Sequence, residues 1–156
     1  MKVDIGIEEN ARNSVAEALN ATLADTYSLY MKTHAYHWNV TGPQFQTLHV
    51  MFEEQYREMW EALDEIAERV RALGVFAPTS GKQFAELSAI DNADTSPPKA
   101  AEMIERLLSD HETLIKRARN GLETAEEAGD AASADLLTVR IQTHEKTAWM
   151  LRSLTQ

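Results

Sequence analysis

Four long segments with helical periodicity constrain the fold of this chain more than any other feature. In each of them apolar residues recur every three or four positions, and no segment shows the alternation of a strand. The segments cover approximately residues 8–37, 43–73, 97–128 and 132–154. Turn residues separate them, for example Gly74 after the second segment and Gly129 after the third. The sequence therefore predicts an all-α bundle of four amphipathic helices.

The lengths of the connections predict how these helices are arranged. Short loops join the first helix to the second and the third to the fourth, so the members of each pair are expected to be antiparallel neighbours. Residues 75–96 form a much longer connection, which can run the length of a bundle. Because a structureless loop of that length is unusual, we expect a short helix within it, from about Gln83 to Ala89.

Composition excludes several classes of protein. A chain of 156 residues with 44% hydrophobic residues suits a single globular domain, residues 1–156. No apolar run is long enough for a membrane span, and the N-terminus lacks the apolar stretch of a signal peptide, so a cytoplasmic location is expected. The absence of cysteine excludes disulfides and thiolate metal sites. A net charge of −10 argues against binding to a polyanion.

Five side chains on the first two helices could bind a transition metal: His37, His49, Glu53, Asp64 and Glu68. Four of them form two pairs spaced i, i+4, so each pair shares one helix face. The second pair starts eleven residues after the first ends, a rise of about 16 Å, which no single ion spans. Two copies of the helix, antiparallel across a two-fold axis, would bring opposite pairs together. We therefore predict two equivalent sites in a dimer.

Each pair also has an ordinary interpretation. His49 and Glu53 could form a weak exposed helix pair, and helix surfaces often tolerate like charges such as Asp64 and Glu68. A di-iron site inside a single bundle typically uses Glu-x-x-His pairs. None of the five histidines has a glutamate three residues before it, so the sequence favours a site between subunits.

The residues around these positions resemble the signature of the Dps proteins, the miniferritins named for DNA protection during starvation. The resemblance covers nearly the whole chain and is densest from Tyr36 to Gly74. It includes His37-Trp38-Asn39-Val40, Gly42, Phe45, His49, Phe52-Glu53, Tyr56, Asp64 and Ala67-Glu68-Arg69. It implies a ferritin-like four-helix bundle whose long crossover contains a short helix at the two-fold interface. It also implies a homododecamer, built from two-fold dimers, that oxidises and stores iron.

The resemblance assigns roles to individual residues. His37, with Asp64 and Glu68 of the partner, is expected to hold one iron, and His49 with Glu53 a second. Many family members have Asp at the position of Glu53, so the second iron position is where this chain departs from the pattern. Trp38 is expected near the site, where it could intercept oxidising equivalents or simply fill the interface. Zinc would fit the same ligands.

The implied activity is that of a ferroxidase. Fe(II) would be oxidised by hydrogen peroxide, or more slowly by dioxygen, and the ferric product stored inside the hollow oligomer. The alternative is a non-enzymatic nucleoid protein of the same fold that binds DNA. Near the N-terminus only Lys2 is basic and acids follow, which counts against DNA binding and against this alternative.

The remaining histidines and tryptophans are predicted to be structural. His34 is expected on the surface or in packing, and His111 and His144 in the core with local hydrogen bonds. Trp60 and Trp149 are expected to pack. Asp130, at the start of the fourth helix, could line a pore for iron, as in the family, or simply favour the helix N-terminus.

Overall fold

Every regular element that the structure describes is an α-helix. The computed structural model describes residues 3–92 and 94–156. The helices are α1 (Glu9–Asn39), α2 (Phe45–Ala72), α3 (Gly81–Leu87), α4 (Ala100–Glu127) and α5 (Ala131–Ser153). This confirms the all-α prediction, while Lys2 and residue 93 of the crossover lie outside the described residues. No helix in the described part is long and apolar enough to cross a membrane.

The four long helices pack as two antiparallel pairs around one core. α1 contacts α2 along its length and α4 contacts α5, as the short connections predicted, and α1 also packs against α4. Fully buried residues from all four helices fill the centre, among them Leu19, Phe52, Leu107 and Leu137. Large apolar side chains at helical spacing therefore place one face of each helix in the core.

The crossover is fastened to the bundle by one buried carboxylate. Asp25 of α1 is completely buried, and its Oδ1 accepts hydrogen bonds from the Ala89 amide (2.7 Å), the Ser88 hydroxyl (3.1 Å) and Arg117 Nη1 (2.9 Å). Desolvation by burial raises the pKa of Asp25 against the opposing effect of these donors. The crossover is therefore fixed at Ser88 and Ala89, just after α3, between α1 and α4.

The short helix in the crossover begins two residues earlier than predicted. Ser80 caps it by accepting a hydrogen bond from the Gln83 amide (3.3 Å), so the N-cap lies before Gly81 rather than at Gln83. Phe84 of this helix stacks on Tyr27 of α1, with ring centroids 4.5 Å apart. This aromatic contact and the Asp25 hydrogen bonds together hold α3 against α1.

Asp130 joins the end of α2 to the start of α5. Its Oδ1 accepts from the Ser133 amide (3.0 Å) as the N-cap of α5 and from Arg69 Nη2 (2.7 Å) of α2. It is 2% exposed. Burial opposes its charge, but the hydrogen bonds from Ser133 and Arg69 outweigh burial and lower its pKa below the ordinary 3.8. Within this subunit Asp130 therefore serves as a helix cap and an ion-pair partner.

This arrangement predicts a pH-dependent contribution of Asp130 to stability. Because folding lowers its pKa, the ionised form stabilises the native state at pH values above about 4, and that contribution is lost as the pH falls through the folded-state pKa. Asp130→Asn keeps a capping side chain but removes the charge that pairs with Arg69. We expect it to lower the free energy of unfolding by about 1 kcal/mol at pH 7 and by much less at pH 3.

Chemical denaturation at fixed protein concentration measures this difference. Asp135→Asn, an exposed substitution in the same helix, is the control and should have little effect at either pH. If Asp130→Asn lowered the free energy of unfolding as much at pH 3 as at pH 7, the role of the charge would be contradicted.

Candidate metal centre

His37 and His49 hold each other in place through the backbone. His37 lies in the last turn of α1 and His49 near the start of α2, on either side of the loop that joins the two helices. His37 Nδ1 is 2.7 Å from the His49 carbonyl oxygen, and His49 Nδ1 is 2.9 Å from the His37 carbonyl oxygen. The two rings stack, with centroids 3.8 Å apart and planes 18° from parallel. The pair is therefore rigid before any metal binds.

These hydrogen bonds determine which nitrogen of each ring can bind a metal ion. A carbonyl oxygen only accepts, so Nδ1 of both histidines carries the hydrogen. In the neutral ring Nε2 then keeps its lone pair, the form in which imidazole ligates a metal. An N–H bonded to a backbone carbonyl is also the usual partner that orients a ligating histidine. The donor chemistry of His37 and His49 therefore fits a transition metal.

Glu53, the third predicted ligand, is bound to Arg57 in the single subunit. Its Oε1 lies 2.7 Å from Arg57 Nη2 and 2.9 Å from Arg57 Nε. The hydrogen bond from Arg57 is the largest of the effects that lower the pKa of Glu53, so the carboxylate is kept in its charged form. This contact was not predicted from the sequence, although the i, i+4 spacing of the two residues could have revealed it. Glu53 is thus ionised but already engaged by a cation.

Asp64 and Glu68 lie further along α2 and are exposed. Asp64 borders an open groove of about 720 Å³ whose walls include Trp60 of α2, Tyr27 of α1 and Phe84 of α3. Neither acid is hydrogen-bonded to His37, His49 or Glu53 in any contact of the described subunit. The structure therefore leaves both acids exposed, and Asp64 borders a largely apolar groove.

One subunit does not gather the five predicted ligands. In the described ranges, no group of three or more histidine or acidic side chains is arranged to hold a metal ion. α2 is continuous from Phe45 to Ala72, so its rise of about 1.5 Å per residue separates Glu53 from Asp64 by about 16 Å. The chain thus presents two half-sites, one with nitrogen ligands and one with only oxygen ligands.

Aromatic rings surround the histidine half-site. His34 stacks on Tyr56, with centroids 3.8 Å apart, and Tyr56 meets the edge of His37 at 5.2 Å. Trp38 is 66% exposed and packs on His34 at 4.2 Å. Burial, followed by the nearby His37 and Arg57, lowers the pKa of His34. His34 is therefore a packing residue, as predicted, while Trp38 has most of its ring available to a neighbour.

Trp60 and Trp149, which were predicted to be packing residues, do not pack inside the single subunit. Each is 61% exposed. Trp60 contacts Tyr30 with one side only, at a centroid distance of 5.5 Å, and its other side borders the groove next to Asp64. The sequence shows that a large aromatic residue can pack, but it does not show whether the surface it packs against lies in the same subunit.

Comparison with known proteins identifies the family. The ferritin-like domain model matches residues 16–156. "DNA protection during starvation protein 2" of Bacillus anthracis is 40% identical over 139 residues, which cover 89% of this chain and 94% of that protein. The chain belongs to the Dps family.

Other relatives and solved structures agree with this assignment. An uncharacterised low temperature-induced protein of Nostoc is 41% identical over 97% of the chain and 86% of its own length. The Dps protein of Vibrio cholerae superposes with a TM-score of 0.94 at 30% identity, covering all of this chain and 98% of that one. That structure is described as a member of the ferritin-like di-iron-carboxylate superfamily. The ferritin-like bundle predicted from the sequence is confirmed.

The ion pair at Glu53 leads to a prediction for metal affinity. Arg57→Gln removes both the competing cation and its positive charge, so we expect the weaker of the two metal positions to bind Zn²⁺, a redox-silent probe, about twofold more tightly. Isothermal titration of the metal-free assembled protein measures this. Lys82→Gln, which removes an exposed i, i+4 partner of Glu86 away from the site, is the matched control. Unchanged or weaker binding in Arg57→Gln protein that assembles as fully as the wild type would show that Arg57 does not compete for Glu53.

Proposed function

We propose that this Dps protein is a ferroxidase whose sites are completed by pairs of subunits. The single observation that carries the proposal is the division of ligands within one chain. His37 and His49 are fixed with Nε2 lone pairs free, while Asp64 and Glu68 are exposed further along α2, with Asp64 about 22 Å beyond His49. A second copy supplies the acids that the first copy cannot.

The pairing that joins the half-sites is an antiparallel contact between two copies of α2. His49 then faces Glu68 of the partner subunit, and Glu53 faces Asp64 of the partner subunit. Nearer the middle of α2, the same register places Trp60 opposite Arg57 of the partner subunit. An exposed tryptophan beside an apolar groove is typical of a protein–protein contact, and a guanidinium over its ring would add a cation–π interaction.

The ligand set suits iron as substrate. Imidazole nitrogen binds Fe(II) well, and carboxylate oxygen binds the harder Fe(III) that oxidation produces. Two Fe(II) ions per site would each give one electron to hydrogen peroxide, which takes up two protons and leaves as two water molecules. His37 with Asp64 and Glu68 of the partner subunit would hold one ion, and His49 with Glu53 the other, while zinc would compete for both positions.

The proposed storage of iron depends on the assembly of subunits into a hollow shell. In the proposed homododecamer, repeated two-fold dimers enclose a hollow in which ferric product collects. A net charge of −10 per subunit favours the attraction of cations to such a shell. Trp38, exposed next to the histidines, would lie at the contact, where it could take up oxidising equivalents that escape the iron.

Mixed assemblies test whether the site is shared. The double variant His37→Ala/His49→Ala lacks the nitrogen half-site, and Asp64→Asn/Glu68→Gln lacks the oxygen half-site. Each alone should lose at least about tenfold in the rate of peroxide-driven Fe(II) oxidation. Assembled together in equal amounts, half of the dimers are mixed, and each mixed dimer contains one complete site. Activity should therefore recover to about a quarter of the wild-type level.

Stopped-flow absorbance under anaerobic conditions measures the rate, and native mass spectrometry verifies assembly. Glu123→Gln/Glu126→Gln removes the same charge from exposed positions of α4 and should retain wild-type activity. Mixed assemblies as inactive as the separate variants would place the site within one subunit and refute the proposal.

The rival function within the same family is DNA binding, and the charge of this chain argues against it. There are 25 acidic residues against 15 basic ones, and phosphate contacts require lysine and arginine. We expect no complex with duplex DNA in a gel-shift assay at physiological salt. Tight complexes that dissociate as salt is raised would favour the DNA-binding function instead.

A further inference from the structure

A second histidine pair lies in the interior, away from the candidate metal centre. His111 of α4 and His144 of α5 are each 1% exposed, and their Nδ1 atoms are 2.9 Å apart. His144 Nε2 is 3.0 Å from Arg140 Nη2, and Arg140 is also paired with Glu58 of α2. These residues link α2, α4 and α5 through one hydrogen-bonded chain. The proposed iron chemistry does not use any of them.

The arginine fixes the proton positions along this chain. A guanidinium only donates, so His144 Nε2 accepts and the hydrogen of His144 lies on Nδ1. That hydrogen is donated to His111 Nδ1, which leaves the hydrogen of His111 on Nε2. Both rings are neutral, because burial lowers the pKa of His111 to about 3 and that of His144 well below its ordinary value. His111 therefore presents an N–H donor at its far end.

That donor has no partner among residues 3–92 and 94–156, which the structure describes. His111 Nε2 is buried without a hydrogen bond, and so is Gln55 Oε1 of α2. Both residues line one cavity of about 180 Å³ between α2, α4 and α5, which opens to solvent beside the exposed Glu54 and Lys146. Buried polar atoms are rarely left unpaired, because each costs about 1–3 kcal/mol. One donor and one acceptor beside a common cavity indicate a ligand that can accept one hydrogen bond and donate another.

The chemistry of the cavity selects an oxygen compound. A metal ion needs a lone pair at His111 Nε2, where the tautomer places a hydrogen. Glu58 at the cavity is already paired with Arg140, while Glu54 and Lys146 contribute charges of opposite sign. A water molecule occupies about 30 Å³ and hydrogen peroxide is not much larger, so both fit. We propose that this cavity binds a small hydroxylic molecule between His111 Nε2 and Gln55 Oε1, water at rest and hydrogen peroxide in competition with it.

Oxidation of three methionines in the cavity wall would show that peroxide has entered the cavity. Met51 and Met59 of α2 and Met150 of α5 line it. A thioether sulfur attacks one peroxide oxygen, the O–O bond breaks, and the second oxygen leaves as water with both hydrogens. Sulfur is oxidised to the sulfoxide and peroxide is reduced. A hydrogen bond from His111 Nε2 to the departing oxygen would favour this step.

The chain contains matched controls for this reaction. Met59 and Met103 are both buried, at 1% and 0% exposure, but only Met59 lines the cavity, whereas Met31 is 49% exposed on α1. The metal-free assembled protein is treated with hydrogen peroxide, and sulfoxide is followed at each methionine by peptide mass spectrometry. We expect Met59 to oxidise severalfold faster than Met103, and Met51 or Met150 to exceed Met31. Rates that simply follow exposure would overturn the assignment of peroxide to this cavity.

Variants and a structure at high resolution complete the test. Gln55→Leu removes the acceptor from a half-buried position and should lower the oxidation rate of Met59 toward that of Met103. Gln142→Leu, an exposed substitution on α5, is the control and should leave the oxidation rate of Met59 unchanged. In crystals of the metal-free protein, a water between His111 Nε2 and Gln55 Oε1 is expected before a peroxide soak, and a two-oxygen ligand or a methionine sulfoxide after it. An empty cavity before the soak would overturn the site itself. Because iron is absent throughout, neither result depends on the shared ferroxidase site.

Discussion

The exchange of hydrogen bonds between His37 and His49 is the interaction on which the candidate site depends. Each imidazole donates to the carbonyl of the other residue, so the end of α1 and the start of α2 fix both rings at once. The carbonyl of His37 is free to accept because it lies in the last turn of its helix, where no intrahelical N–H reaches it. The loop between the helices therefore does more than reverse the chain. It orients two ligands with their lone pairs directed away from the backbone.

The second constraint is the straightness of α2. A continuous helix keeps residues eleven positions apart on nearly the same face but far apart along its axis. Glu53 and Asp64 thus face the same side without meeting, and only another copy of that face can bring their counterparts together. The apolar groove beside Asp64 and the exposed ring of Trp60 lie on the stretch of α2 that such a contact would cover. Assembly and metal binding would then be the same event, since the surface that buries the tryptophan is the surface that completes the site.

Periodicity and turn chemistry were enough to predict the helices, their order and the helix in the crossover, because these depend on local preferences and on one apolar face per helix. Tertiary hydrogen bonds were not predictable in this way. Nothing in the local sequence distinguishes Asp25, which anchors the crossover, from an ordinary helical aspartate. α3 begins at Gly81 rather than at Gln83 because Ser80 caps it, and apolar periodicity does not predict such a cap. Trp60 was predicted to pack but is 61% exposed, because residue type does not show which surface a side chain covers. The ligand candidates were identified because two i, i+4 pairs on one helix fit a dimer axis and because the residues around them resemble the Dps signature.

The two histidine pairs show how the same side chain acquires opposite chemistry from its neighbours. Around His37 and His49 the neighbours are carbonyl oxygens, which accept, so each ring turns a lone pair outward, toward cations. Around His111 and His144 the first neighbour is Arg140, which donates, so the last ring in the chain turns a hydrogen outward, toward oxygen. Neither outcome depends on the histidines themselves or on their spacing in the sequence. It depends on whether the fold places an acceptor or a donor behind the ring. At the proposed metal site the free ring nitrogen carries a lone pair, and at His111 it carries a hydrogen.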